Sequence, residues 1–297
     1  MSVSAEKRLN GFHIFMIILY IISFAFLAYY FYHGWDYYST PFSERPRHPE
    51  YSMLKPGGLT GHGFGVIGSA MMLIMLLYSL RKRTHIFSKA GTLPAWLDIH
   101  IYLGIIGPLL IILHSTFKVH GLVAVSFYSM AAVALSGIFG RYLYLQIPRN
   151  IQGYEISLNE LKAMDSKLSR DLKEQYKFTD DMINRLEHLS GGTNIESRNT
   201  WVFLFSLLWH DIKKKSELEK FIKDNTLFDQ FSAGQIRTLL KFIRQKAVLH
   251  QRIQILTRIQ HLFHYWHVIH KPFAIIMIII MFIHIAVAIT FGYTWVF

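Results

Sequence analysis

The sequence predicts an all-α integral membrane protein: a bundle of about five transmembrane helices, with a helical cytoplasmic insert between the fourth and the fifth. The first observation is that apolar residues, 52% of the chain, are concentrated in long runs. The second is that a helix needs roughly 20 predominantly apolar residues to cross the hydrocarbon core. The third is a polar, charged stretch between two of the runs. Five segments meet or approach the required length: 11–32, 61–80, 97–117, 122–146 and 270–293.

These segments give a three-part organisation. Residues 1–147 contain transmembrane helices one to four, the first of them uncleaved, with an outer loop at 33–60 that its prolines and its glycine pair mark as an irregular connector. Residues 148–262 form the insert, in which Ser157 and Glu160 have the spacing of a capping box. From about 232 to 265, across the end of the insert, the pattern is that of a basic amphipathic helix that lies either at the membrane surface or against its own protein. Residues 263–297 contain the fifth helix.

Positive charge near the membrane gives the orientation. Arg81, Lys82 and Arg83 follow the second span directly, and cytoplasmic loops collect Lys and Arg. The N-terminus and residues 148–262 are then cytoplasmic and the C-terminus lies outside. We expect the inner (plasma) membrane of a bacterium, which fits the absence of cysteine and of a long targeting signal.

The composition excludes several classes of site. Without cysteine the chain has no disulfide framework, thiolate zinc site, ordinary Fe–S cluster or covalently attached haem. A redox carrier would have to be bound by some of the 16 histidines or left non-covalent. The net charge of +12 is explained by basic cytoplasmic loops, so no nucleic-acid partner is expected.

Two histidine pairs carry the chemistry. His100 and His114 on the third span are 14 positions apart, as are His270 and His284 on the fifth. Fourteen positions are close to four helical turns and a rise of about 21 Å, so both members of a pair face nearly the same way. One histidine then lies near each edge of a hydrocarbon core of about 30 Å.

The third and fifth spans run in the same direction, so the pairs can be matched by level. His100 and His270 would bind an inner b-type haem, and His114 and His284 an outer one, each through the iron. Intramembrane histidines are costly and usually functional. Two axial histidines leave no open coordination position, which is typical of haems that transfer electrons.

Several neighbours remain open in role. Arg141, His62 and His267 are candidate contacts to haem propionates or to a quinone, with snorkelling or helix capping as the alternative for Arg141 and His62. Gly104 and Gly107 allow either a flat macrocycle or a second helix to approach. The tract containing His261, His264, His267 and His270 has steps of three that could bind zinc or copper, or be a hydrated interfacial stretch.

Paired H-x13-H spacings on two parallel helices resemble the membrane core of ferric reductases and NADPH oxidases and, more loosely, cytochrome b561-type proteins. The resemblance implies two stacked haems that pass electrons across the bilayer. This sequence departs from the family in two ways. The family's flavin and nicotinamide-binding domain is not found after the last span, nor is its G-x-G-x-x-G fingerprint. The second departure is the insert that separates the fourth and fifth spans.

The function expected is a di-haem b cytochrome subunit of a membrane complex, an electron-transfer oxidoreductase component rather than a self-sufficient enzyme. It would move electrons between a cytoplasmic or quinone partner and an outer-side redox protein. A quinol/quinone oxidoreductase subunit using the same two haems and a bound quinone is one alternative. A histidine-lined metal transporter, and a signalling or assembly protein built on the insert, are alternatives from other classes.

Overall fold

The structure is a computed structural model in which the described part of the chain is helical. It describes residues 11–84, 87, 89–148, 155–191, 199, 200, 202–207, 209, 216, 220 and 233–291. Within these residues no β-strand occurs, so the predicted all-α class is confirmed.

Nine helices have defined bounds in this part of the chain. They are α1 (Gly11–His33), α2 (Trp35–Ser39), α3 (Tyr51–Leu54), α4 (Leu59–Arg83), α5 (Leu93–Ser115), α6 (Gly121–Gln146), α7 (Leu158–Tyr176), α8 (Asp180–Gly191) and α9 (Ala233–Thr290). A single 3₁₀ turn, Arg45–Arg47, lies between α2 and α3.

Five segments are long and apolar enough to cross a membrane, as the sequence predicts. They are Gly11–His33, Tyr51–Arg83, Leu93–Ser115, Gly121–Gln146 and Gly234–Thr290. Most of each apolar stretch stays exposed in the folded chain; in α1 only 11% of it is buried. Apolar surface on this scale is stable only when something other than water covers it, and a lipid bilayer does so.

The chain divides into two compact units, and the long helix α9 contributes residues to both. The membrane unit comprises the described residues of 7–142 and 263–297, and the insert unit those of 143–262. The predicted fifth span at 270–293 is the last part of α9, which ends at Thr290. Pro272 lies inside α9, and the helix continues across it.

Helices α4 and α5 approach each other closely in the membrane unit, through glycine. A Cβ added to Gly68 would lie 3.0 Å from the carbonyl oxygen of Gly107 on α5. Gly107 in turn faces Gly68 and Met72, and Gly104 faces the sulfur of Met75. Of the two predicted roles for Gly104 and Gly107, the structure therefore supports helix–helix packing, in which small residues let backbones meet.

A layer of methionine lies at mid-height in the membrane unit. Met72, Met130, Met277 and Met281 form one buried cluster, at most 5% exposed, that joins α4, α6 and α9. Met277 is seven positions from both His270 and His284, and Gly107, which Met72 contacts, is seven positions from both His100 and His114. The methionine layer thus lies midway between the two histidine levels.

The connector between α1 and α4, expected to be irregular, contains short helices held by one buried arginine. The guanidinium of Arg45 donates to the carbonyl oxygens of Thr40 (2.8 Å), Tyr38 (2.6 Å) and Thr116 (2.6 Å). It also lies 4.3 Å from the ring centroid of Phe42. Thr116 is the C-terminal cap of α5, so Arg45 ties the connector to the end of the helix that carries His114.

The insert unit has an apolar core and a buried ionic cluster. The predicted capping box is confirmed: Ser157 and Glu160 exchange hydrogen bonds at the start of α7. Leu239, Ile243 and Ala247 of α9 pack with residues of α7 and α8 in one core. The amphipathic first part of α9 therefore docks on its own protein, which was one of its two predicted placements.

The ionic cluster in this unit is centred on a lysine. The ammonium of Lys246, 1% exposed, donates to Asp165 at 2.7 Å and to Glu187 at 2.6 Å, with Nδ1 of His250 at 3.8 Å from each carboxylate. Asp165, Glu187 and His250 have the spacing of a metal site. Because the Lys246 cation already lies between the carboxylates, we interpret the cluster as a structural ion pair.

Candidate functional site

The four paired histidines lie on the two helices that the sequence assigns them to. His100 and His114 lie on α5, and His270 and His284 lie on α9. At one level the ring centroids of His114 and His284 are 6.4 Å apart, with an angle of 65° between the planes. At the other level, His100 and His270 lie on the same two helices, each 14 positions before its partner of the first level.

The separation of His114 and His284 matches that of two ligands on opposite sides of one metal ion. Transition metals bind imidazole nitrogen at about 2 Å, so two such ligands have ring centroids about 6 Å apart. The planes of two axial ligands can adopt any mutual rotation about the metal–nitrogen axis, so an angle of 65° is compatible with this geometry. His284 is exposed on a membrane-spanning helix, where an imidazole needs a partner.

Three of the four histidines have Nδ1 held by an oxygen acceptor. Nδ1 of His100 lies 3.1 Å from the carbonyl oxygen of Met75, and Nδ1 of His114 lies 2.9 Å from that of Gly61. A carbonyl oxygen only accepts, so Nδ1 carries the proton in both rings. The lone pair of a neutral imidazole is then on Nε2, which is the arrangement that a metal ligand needs.

The third anchor is a hydroxyl, and its own hydrogen bond fixes the direction. Nδ1 of His270 lies 2.8 Å from Oγ of Ser136 on α6. Ser136 donates its hydroxyl proton to the carbonyl oxygen of Val133 at 3.0 Å, so it accepts from His270. Nε2 of His270 is therefore also left with its lone pair.

A tryptophan and a glycine support His270 from the side. The indole of Trp266 lies with its centroid 4.7 Å from that of His270, and its N–H donates to the carbonyl oxygen of Ser136 at 2.8 Å. The indole ring of Trp266 packs over Gly140, where an added Cβ would overlap the indole. Ser136 thus contacts both side chains, and the ring of His270 is held on two sides.

Glycine also clears the space beside His114. A Cβ added to Gly65 on α4 would lie 2.7 Å from Nδ1 of His114, closer than real side chains approach. Gly61, whose carbonyl accepts from the same ring, lies one turn earlier on α4. The imidazole of His114 therefore lies directly against the backbone of α4.

The auxiliary residues proposed from sequence have different surroundings. Arg141 donates to Asp98 at 2.9 Å, so its guanidinium already has a carboxylate partner in the protein. The ring of His62 lies 6.5 Å from that of His114, which places it at the His114–His284 level. His267 bonds the carbonyl oxygen of Phe263 in its own helix at 2.9 Å.

The remaining histidines of the tract are exposed. His261 and His264 face away from the packed helices, and the described residues place neither of them in a group of three metal ligands. The described part of the chain thus gives no support for a zinc or copper site in this tract.

Sequence reasoning missed the partners of the site residues, which are the anchors of the histidine rings and the carboxylate that pairs with Arg141. Asp98, two positions before His100, is an acid in an apolar helix and could have been identified as the partner of an intramembrane arginine. Ser136 and Trp266 have no distinguishing pattern. The carbonyl groups of Gly61 and Met75 are backbone, so residue identity carries no sign of them.

The separation of His114 and His284 fits a bis-histidine metal centre, and His100 and His270 occupy the corresponding positions one level away on the same two helices. The donor set is neutral imidazole, which binds haem iron well. The ligand-ready tautomer is fixed at both members of the His100–His270 pair and at His114 of the other pair. Comparison of the chain with protein-family models, with curated proteins and with solved structures finds no match.

Proposed function

We propose that the chain is a membrane di-haem b electron-transfer subunit. His100 and His270 would hold one haem iron, and His114 and His284 the other. When held by two histidines, each haem would supply reversible one-electron transfer rather than bind a substrate. The residues of this chain bind, orient and shield the two groups.

One observation carries the proposal: His100, His114 and His270 each have Nδ1 bonded to an acceptor that requires its proton there. A histidine kept only for structure has no need of a uniform tautomer. In metal sites, by contrast, the outer partner of each histidine orients the ring and raises its basicity. Three such anchors on four intramembrane histidines favour ligation through Nε2.

The methionine layer supports two sites that communicate. Positions 14 apart on a helix are separated by about 21 Å, and the layer fills the middle of that distance. Met72, Met130, Met277 and Met281 exclude water there and present polarizable thioethers. We infer that this packed layer is the medium through which electrons pass between the two levels.

The orientation and partners belong to the same proposal. Arg81, Lys82 and Arg83 at the end of α4 favour a cytoplasmic position for that end of the bundle, beside the His100–His270 pair. Electrons would then pass between another redox subunit, or a quinone, near the His100–His270 pair and a redox protein on the outer side. The resemblance to the ferric reductase core is consistent with this route.

The test is a reduced-minus-oxidised absorption spectrum of the purified full chain, with haem counted per polypeptide. We expect a low-spin b-type spectrum and about two haems. The double variant His114→Ala/His284→Ala should retain one haem, and His100→Ala/His270→Ala the other. His264→Ala, an exposed histidine of the same helix, is the matched control and should retain both. Absence of haem, or full retention in both double variants, would contradict the assignment.

A second candidate function rests on His62. Its ring lies 6.5 Å from that of His114, which is itself 6.4 Å from His284, so three imidazoles meet at one level. Three histidines suit a transition-metal ion directly and would favour the histidine-lined transporter. Metal analysis separates the two functions: bound zinc or copper without haem absorption, lost in His62→Ala, supports transport.

A further inference from the structure

The level of His114 and His284 contains one histidine more than an axial pair needs. The ring centroids of His62 and His114 are 6.5 Å apart with an angle of 66° between the planes, and those of His114 and His284 are 6.4 Å apart with an angle of 65°. Two imidazoles on opposite sides of one metal ion have centroids about 6 Å apart. By distance and by angle, His62 is therefore as suitable a partner for His114 as His284 is.

Hydrogen bonds distinguish His114 from both of these neighbours. Nδ1 of His114 is held by the carbonyl oxygen of Gly61, whereas the ring of neither His62 nor His284 has a hydrogen bond to any residue that the structure describes. At the other level, the rings of both paired histidines are anchored. The His114–His284 level thus has one fixed imidazole and two that can turn without breaking a hydrogen bond.

The start of α4 gives the ring of His62 room to turn. His62 lies in the first turn of this helix, between Gly61 and Gly63, which have no side chains. Gly65 lies three positions after His62, so the two share one face of α4. His114 lies against that face, because a Cβ added to Gly65 would be 2.7 Å from Nδ1 of His114. His62 is therefore attached to the helix face that meets His114.

A haem at this level has positions for only two of the three imidazoles. The macrocycle occupies the equatorial positions of the iron and leaves two axial ones. His114 fills one of them, since its ring is fixed with the lone pair on Nε2. His284 and His62 are then alternatives for the other.

We propose that His62 is an alternative axial ligand, which replaces His284 on the iron opposite His114. The exchange breaks the bond between the iron and His284 and forms one to a ring nitrogen of His62. Both ligands are neutral imidazoles, so the exchange transfers no electron and no net proton. His62 keeps the iron six-coordinate when His284 is displaced. This inference rests on the proposed function, because it concerns the haem assigned to His114 and His284.

The test compares the full-length wild type with His284→Ala and with His62→Ala/His284→Ala. The matched control is His264→Ala/His284→Ala, which removes an exposed histidine of α9 in place of His62. Haem is counted per chain, and electron paramagnetic resonance and near-infrared magnetic circular dichroism of the oxidised proteins identify the axial ligands. The haem bound by His100 and His270 reports in every variant whether the membrane unit is folded.

His284→Ala should keep both haems in the low-spin, bis-imidazole state, and so should the control. The variant His62→Ala/His284→Ala should lose one of the two low-spin signals, because that iron then has His114 alone. Imidazole added to this variant should restore the lost signal, which would show that the pocket itself is intact.

Two outcomes would overturn the inference and leave the proposed function standing. A high-spin or missing haem in His284→Ala would mean that His62 lies beside the haem and does not bind its iron. Two low-spin haems in His62→Ala/His284→Ala would mean that another residue replaces His284. Absence of haem from the wild type would overturn the proposed function, and the role of His62 with it.

Discussion

The hydroxyl of Ser136 on α6 lies 2.8 Å from Nδ1 of His270 on α9, and its own proton is donated to the carbonyl oxygen of Val133. The bond between the two side chains therefore runs from the imidazole to the serine. It joins two helices of the membrane unit and sets the tautomer of His270. The nitrogen that faces away from Ser136 is the one available to a metal.

Replacing Ser136 by alanine should weaken the site that contains His270. The variant removes the acceptor and leaves the N–H of His270 unpaired, which costs about 1–3 kcal/mol. Outer partners of metal-bound histidine are worth about 10- to 100-fold in affinity. We expect the haem bound by His100 and His270 to transfer faster to a haem-accepting apoprotein and the other haem to be unaffected. Ser126→Ala, which removes a hydroxyl of α6 bonded to the backbone of Met277, is the control.

Gly65→Ala should disturb the other level. The added Cβ would lie 2.7 Å from Nδ1 of His114, so the ring must move away from the carbonyl of Gly61. We expect loss or a spectral shift of the haem bound by His114 and His284. Gly137→Ala is a suitable comparison, since its Cβ would lie 4.0 Å from His270, an ordinary contact. Equal spectra for both variants would contradict the placement of His114.

The fold was predictable from sequence because the bilayer imposes a length on each apolar run. The amphipathic helix at 232–265 and the fifth span form one continuous helix, since α9 runs from Ala233 to Thr290. The change from polar to apolar composition near residue 263 marks the passage between two surroundings. Helical hydrogen bonds lie in the backbone and do not depend on that change. Composition therefore indicated a change of environment but not the end of a helix.

The shared direction of the two histidines on each helix was also predictable from the sequence, since a step of 14 positions fixes the rotation between two side chains on one helix. The assignment of these histidines to haem stays a prediction. The anchors were not readable: the acceptors of His100 and His114 are carbonyl groups of Met75 and Gly61 on another helix. Which backbone groups meet which rings depends on helix rotation and crossing. Periodicity within one helix cannot supply either quantity.

The buried lysine of the insert unit should be essential to its stability. Lys246→Met leaves the carboxylates of Asp165 and Glu187 without their cation, and breaking a buried pair in this way costs about 3–5 kcal/mol. The local opening free energy of α7 and α8, measured by hydrogen exchange, should fall by about this amount. Arg185→Met removes an exposed pair with Asp181 and should change it by about 0.5 kcal/mol or less. Similar values for the two variants would show that Lys246 is dispensable.

The same cluster should make the insert unit sensitive to acid. Burial raises the pKa of Asp165, but hydrogen bonds and charges from His250 and Lys246 outweigh it, so the net pKa lies below the ordinary 3.8. A lowered folded-state pKa contributes stability that is present above 3.8 and is lost as pH falls through the folded pKa. The thermal unfolding midpoint of the wild type should therefore fall more steeply below pH 4 than that of Asp165→Asn. Parallel curves would count against the ion pair.

Arg45 should couple the connector to the His114–His284 level. Its guanidinium donates to Thr116 at the end of α5, and it lies within a buried tyrosine cluster in which desolvation raises the pKa of Tyr38 to about 12. Arg45→Met leaves three carbonyl oxygens without their donor, each at a cost of about 1–3 kcal/mol. We expect faster proteolysis of residues 34–58 and a spectral change confined to the haem bound by His114 and His284. Arg47→Met, an exposed arginine of the same turn, should leave both unchanged. An altered haem at His100 and His270 in the Arg45 variant would instead indicate general unfolding.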